Sequence, residues 1–205
     1  MENTKENKFQ KNFKYHHGNL RQTLIEAALE LLEEKGIDAL SLRSIAKKTD
    51  VTQAAPYSHF RDKNDLLAAV AEIGFQKLAI QMAEAATGIK ETQSQIEKLV
   101  ASYINFASTN KSLFQLMFSR ELSNMKEYPT LAMTAGKSYS LISTALSKRS
   151  NNKEDTRFLT IAIWSLCHGL TSLIIDEKID IKQFDAANLD EFVNRTVGIF
   201  SEHLA

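Results

Sequence analysis

Apolar residues in this chain recur at three- and four-residue spacing in segment after segment. Nowhere do they hold the two-residue alternation of a half-buried strand. Leu20, Leu24, Ala27, Ala28, Leu31 and Leu32 mark one face of a helix over 19–35, and Leu42, Ile45 and Ala46 mark a second. After a break at Asp50-Val51, a very short third helix is expected from Thr52 to about His59. A long fourth runs through Leu66, Leu67, Val70, Ile73 and Leu78 to about Ala86. The same spacing continues through Leu99, Tyr103 and Phe106, a short stretch over 113–118, and then 129–147, 151–178 and 189–204. Seven Gly and two Pro in 205 residues leave few sites for chain reversal, which favours long helices. The chain reads as all-α with about nine helices. A three-helix N-terminal head (15–63) is joined by the fourth helix to a larger helical body (64–205), and 1–14 form a flexible arm.

The helix boundaries have local causes. Gly36 stands where a left-handed cap residue is wanted. Ser41 and Thr52 can cap the second and third helices, and Asp62 the fourth, with Asp65 three residues on. Thr92 with Gln95 reads as a capping box, and Pro129 suits a first helical position.

Composition removes several function classes. The chain is 43% hydrophobic and 24% charged, enough for a sizeable core. A single cysteine, Cys167, allows no internal disulfide or cysteine-based metal cluster. The polar N-terminus does not resemble a signal peptide, and no apolar run approaches 18 residues. A soluble, cytoplasmic protein with no membrane partner is expected. Net charge is zero, so bulk charge gives no support for nucleic-acid binding. Residues 1–63 hold eleven basic and nine acidic side chains, but Glu26, Glu30, Glu33 and Glu34 gather on the first helix, leaving a local positive face near the turn. Moderate, salt-sensitive DNA affinity follows. The arm, with Lys5, Lys8, Lys11 and Lys14, is either a plain tail or a strand resting on DNA.

Three short helices with a tight turn before the last describe a helix-turn-helix. Asp50 tolerates the left-handed backbone of such a turn. Gln53 can pair with a base edge, and Ala54 and Ala55 can touch thymine methyls. Tyr57, His59 and Lys63 can reach phosphates on either side. Phe60 reads as core, Lys47 and Lys48 as solvated surface. His16 and His17, adjacent on a helix, diverge too far for a metal site, and no cofactor is expected.

The segment LSLRSIAKKTDVTQAAPYSHFRDKNDLL (40–67) resembles the DNA-binding signature of the tetracycline-repressor (TetR) family, and YHHGNLRQTLIEAALELLEEKG (15–36) is similar to the first helix of one large branch of that family. The resemblance implies that Thr52 caps the recognition helix, that Gln53, Ala54 and Ala55 face the groove, and that Tyr57, His59 and Lys63 hold the backbone. Ser41 and Arg43 match positions that touch phosphate. The family usually has Gly at the place of Asp50 and often Leu at that of Pro56, differences that bear on sequence preference. AIWSLCHGLTSLI (162–174) resembles a Trp-x-x-x-His-Gly element of one subgroup, and LFQLMFSREL (113–122) its partner segment, with Ser119 where Gly is common.

The implied body dimerises through its last two long helices, with Phe158, Ile161, Leu173, Phe192, Phe200 and Leu204 as candidate interface residues. It encloses a pocket for a small-molecule effector of lipophilic or aromatic character. Candidate lining residues are Tyr103, Phe106, Phe114, Met117, Phe118, Met133, Tyr139, Trp164, Cys167 and His168. The expected function is that of a homodimeric repressor released from a palindromic operator on double-stranded DNA by its effector. The alternatives are an effector-dependent activator or a helical adaptor. No Gly-rich phosphate loop, nucleophile elbow or metal cluster points to an enzyme, and Cys167 and His168, adjacent on a helix, cannot form a dyad.

Overall fold

The computed structural model describes residues 19–148 and 152–203, so the arm at 1–14, His16, His17 and Leu204 lie outside it. Eight α-helices run in order: α1 (Leu20–Lys35), α2 (Leu42–Lys48), α3 (Lys63–Ala85), α4 (Thr92–Thr109), α5 (Lys111–Met117), α6 (Pro129–Leu146), α7 (Lys153–Ile175) and α8 (Leu189–His203). No strand occurs among the described residues. The expected third helix is two turn residues and a 3-10 segment, Ala55–Ser58, so eight α-helices stand among the described residues where about nine helices were expected.

Pro56 explains that difference. An α-helix opening at Thr52 needs the N–H of residue 56 to reach the Thr52 carbonyl, and proline has none. The chain tightens instead: Ala55 N–H donates to the Thr52 carbonyl (3.0 Å), Tyr57 N–H to Ala54 (3.1 Å) and His59 N–H to Pro56 (3.0 Å). The cap expected of the Thr52 side chain is therefore not made, and the segment has no side-chain cap.

Other caps form as the sequence implies. Ser41 and Ser44 form a reciprocal box on α2, Asp62 caps α3 through Asp65 N–H (2.9 Å), and Pro129 opens α6; the structure adds a cap on α1 from the Asn19 side chain. At α4 the cap is Glu91, whose carboxylate accepts from the N–H groups of Gln93 and Ser94, in place of the Thr92–Gln95 box. A carboxylate reaches two orphan donors where one hydroxyl reaches one, and it meets the positive end of the helix dipole.

One apolar core runs from Leu24 to Val197. Leu24, Ala28, Leu32, Ile45 and Phe60 fill the head, and Leu66, Leu67 and Val70 on α3 join them. Lower down, α3 packs on α4, α5 and α6, while α4 packs on α7 and α8. Head and body share α3 and meet again where α1 touches α5. Gly74 permits the close approach of α3 and α5: a Cβ there would lie 2.6 Å from Met117 Sδ. Lys48, expected in solvent, bridges α2 to α1 through Glu34 (3.0 Å) and Glu30 (3.3 Å). Partial burial alone would weaken its hold on a proton; its hydrogen bonds to both carboxylates, with their charge, outweigh that and raise its pKa above the usual 10.5.

Candidate nucleic-acid interface and effector cleft

The turn between α2 and the 3-10 segment is held by backbone geometry. Asp50 adopts φ 55°, and Val51 N–H returns to the Ala46 carbonyl at 3.0 Å. The segment's inner side is fixed by Pro56 and Phe60, both buried, with the Arg21 guanidinium 5.3 Å from the Phe60 ring centroid. Its outer side carries Thr52, Gln53, Ala54 and Tyr57, all exposed, with Ala55 and His59 half-buried. Arg43 and Lys63 are exposed at the flanks. Ser41 is half-buried, and its hydroxyl already accepts from Ser44 N–H at 3.0 Å, so its local role is that of a cap.

Arg61 is a residue the sequence reading passed over. It is exposed, lies 3.5 Å from the Asp65 carboxylate, and sits 5.9 Å from the centroid of Tyr128 at the head of α6. The i,i+4 spacing of Arg61 and Asp65 was visible in the sequence; the distant tyrosine was not.

The ten candidate ligand residues separate into groups. Tyr103 Oη and His168 Nδ1 share a hydrogen bond of 2.9 Å. Around His168 stand the rings of Phe118 (4.5 Å between centroids), Phe114 (5.7 Å) and Trp164 (6.4 Å), and Tyr139 meets Trp164 at 6.1 Å. Burial lowers the His168 pKa below its ordinary 6.5 and pushes the Tyr103 phenol up. It also pushes the Cys167 thiol up, which leaves that sulfur unreactive. Phe106 and Met117 are core residues.

A large hollow lies elsewhere. A cleft of about 1060 Å³ opens between α3, α4 and α6, and of the ten candidates Met133 alone lies on its wall. Tyr139 lines a smaller hollow of about 560 Å³ beside Phe158 and Ile161; the other eight line neither. The cleft exists because α3 and α6 present small residues there: Ala79, Ala83 and Ala86 face Ala132 and Gly136. The small residues are spaced along the sequence at helical intervals, whereas the large aromatics mark the filled core.

A third feature is the outer face of α7. Phe158 is 67% exposed, with Ile161, Leu166 and Leu173 along the same helix also exposed and open space beside Gly169. Phe192, a candidate interface residue, is instead buried within the protomer, its ring 5.2 Å from Phe184, because α8 turns that face onto α4. Ile199 is an exposed apolar residue on α8. The Phe200 side chain lies outside the described residues. By length and composition α3 and α7 could each cross a bilayer; α3 is mostly buried in the core and α7 is not. No group of three metal-ligating side chains occurs among the described residues.

Residues 24–70 match the family model of bacterial regulatory proteins of the tetR family, and residues 96–200 that of tetracyclin repressor-like C-terminal domains. The HTH-type transcriptional regulator YobS of Bacillus subtilis (strain 168) is 25% identical over 164 residues, which span 80% of this chain and 83% of that protein. The class A tetracycline repressor protein from transposon 1721 of Escherichia coli is 52% identical over 50 residues, 24% of this chain and 23% of that one. Among solved structures, a protein of unknown function from Rhodococcus sp. RHA1 superposes with a TM-score of 0.76 at 26% identity, covering 93% of this chain and 98% of that one.

Proposed function

Because this chain belongs to the tetracycline-repressor (TetR) family, and so is a transcriptional regulator with a helix-turn-helix DNA-binding domain, we propose that it acts as a homodimeric repressor that leaves a palindromic operator when a small molecule occupies its body. The observation that supports the reading is the segment after Asp50, whose backbone is pinned by Pro56 and Phe60 while Thr52, Gln53, Ala54 and Tyr57 project into solvent. A surface built so rigidly and left open fits a reader of base edges. Gln53 and Ala54 supply base contacts, Ala55 backs them, and Arg43, Tyr57, His59 and Lys63 supply phosphate contacts. Ser41 orients α2 for them.

The α7 stripe supports the dimer. Phe158, Ile161, Leu166 and Leu173 would leave a long apolar face in water, the kind of patch a partner subunit covers. Two-fold pairing would set the two reading segments about one helical turn, roughly 34 Å, apart. The cleft of about 1060 Å³ is the effector site in this reading, at the upper end of the usual size for small-molecule sites.

Selection of bound sites from random duplex DNA tests the proposal, together with sedimentation of the free protein. The expected result is an inverted repeat bound by a dimer, with preference over competitor DNA. A monomer, or binding with no preference for any sequence, would overturn it.

A further inference from the structure

The chemistry of the cleft between α3, α4 and α6 narrows its occupant. Along α6 it extends from Ala132 to Ala145, about 20 Å at the rise of a helix, so it is a trough rather than a round chamber. Its floor is apolar and buried, with Leu99 and Ala145 each 1% exposed, and its rims carry Ile80 and Met133, each more than half exposed. Of the side chains that line it, Lys137 alone is ionic, and no carboxylate is among them. Lys137 enters no ion pair with the described residues. Beyond the lining, Lys148 donates to Gln95 (2.9 Å) at one part of the wall, and Gln76 donates to Glu72 (3.3 Å) at another.

A long, mostly apolar trough suits a chain more than a compact ring system. An isolated ammonium on its wall, with no acid among the lining groups, favours an anionic head. We propose that this cleft binds an elongated anionic amphiphile, a long-chain carboxylate, with its chain along Ile80, Ala83 and Met133 and its head at Lys137. The inference rests on the reading of the cleft as an effector site, and it names the ligand class. The exposed stripe of α7, which in the proposed reading meets a second copy, shares no lining residue with this cleft.

The test uses the full-length protein and palmitate below its micellar concentration, with hexadecylamine as the cationic chain of equal length, followed by displacement of a fluorescent fatty acid. Palmitate is expected to bind once per protomer and at least tenfold more tightly than hexadecylamine. Lys137→Glu should weaken palmitate at least tenfold and leave the amine bound as well or better. Ala83→Trp, at an exposed position on the wall, should remove both ligands while helicity and sedimentation stay as in the parent. Palmitate binding indifferent to both substitutions, or an amine bound as tightly as palmitate, would overturn the assignment. So would a change of oligomeric state in Ala83→Trp, which would give the cleft to a second copy. If palmitate does not bind while the operator is still recognised, this inference falls and the regulator reading stands. If palmitate binds as described without changing operator affinity, release by this ligand is what fails.

Discussion

Gly36, which ends α1 and begins the path into the helix-turn-helix, has φ 76° and ψ −179°. This is not the left-handed helical cap that its position implies, because ψ lies far from the value near 47° of that conformation. It is the extended positive-φ region, open in practice to glycine alone, and holding another residue there costs about 1–3 kcal/mol. No heavy atom lies within 4 Å of the site where a Cβ would stand, so packing adds nothing to the cost. Alanine also stiffens the unfolded chain, which returns about 0.4–1 kcal/mol. Gly36→Ala should therefore lose about 1–2 kcal/mol net, a fall in Tm of about 2–8 °C for a chain of this length. Gly36→Asn is the sharper test. Asparagine relieves strain at a left-handed helical position but not in this region, so it should be no better than alanine. Thermal unfolding at one fixed protomer concentration measures both, since the Tm of an oligomer shifts with concentration. Gly136→Ala, inside α6 with open space around it, is the control of opposite sign, expected to gain about 0.8–1 kcal/mol from helix propensity. Asparagine restoring the stability of the parent, or alanine raising it, would refute the reasoning.

Gln53→Ala should flatten the preference for the operator over altered sites, a loss of about 1–3 kcal/mol of discrimination, with the salt dependence unchanged; Lys63→Ala should weaken all sequences alike and reduce the salt slope by about one. Competition gel shifts at several ionic strengths separate the two, and exchanged effects would place the residues wrongly. Phe158→Glu puts a charge in the exposed α7 stripe and should give a folded monomer in sedimentation velocity that no longer binds the palindrome; a persistent dimer would move the interface elsewhere. His168 is held neutral by burial, with a folded pKa below 6.5, so the unfolded chain takes up a proton that the native protein refuses. Its contribution to stability is complete above pH 6.5 and declines as pH falls below it; His168→Gln should flatten that part of the pH–stability curve, and an unchanged curve would show that other groups set it.

What the sequence disclosed, and what it withheld, divide along physical lines. The three- and four-residue apolar spacing located every α-helix, because each must bury one face, and boundaries followed where a local group closes an open helix end, as at Ser41, Asp62 and Pro129. Asp50 was legible as the turn for the same reason. Two local readings failed where chemistry had a near competitor. Pro56 reads as a residue that bears on sequence preference within a helix, yet its missing N–H falls on the bond that the first α-turn needs. At α4 the carboxylate of Glu91 displaced the hydroxyl next to it. Readings that depended on which face of a helix meets which neighbour fared less evenly. Phe158, Ile161 and Leu173 do face outward, but Phe192, indistinguishable from them in sequence, packs inward. The cleft stayed hidden because it is made by the absence of side-chain volume at Ala79, Ala83, Ala132 and Gly136, and the eye for binding sites goes to aromatic rings that here mostly fill the core.

The long helix α3 is the element through which a change at the cleft could reach DNA. Its 23 residues make a rod of about 35 Å, whose first turns belong to the head core and whose last turns form one wall of the cleft. A rod packed at both ends cannot bend cheaply, since its buried side chains interlock with α1, α4, α5 and α6. A tilt of about 5° at the cleft end of such a rod displaces the other end by about 3 Å. Besides the α1–α5 contact, a further tie between head and body lies at that far end: Arg61, next to the cap of α3, stands over Tyr128, which immediately precedes α6, the opposite wall of the same cleft. In the proposed reading, widening the cleft would act on the reading segment through α3 and through the Tyr128–Arg61 contact. In a dimer each head would move with its own body, so the two displacements add across the two-fold axis. A spacing matched to one helical turn does not survive a shift of that size without loss of simultaneous docking.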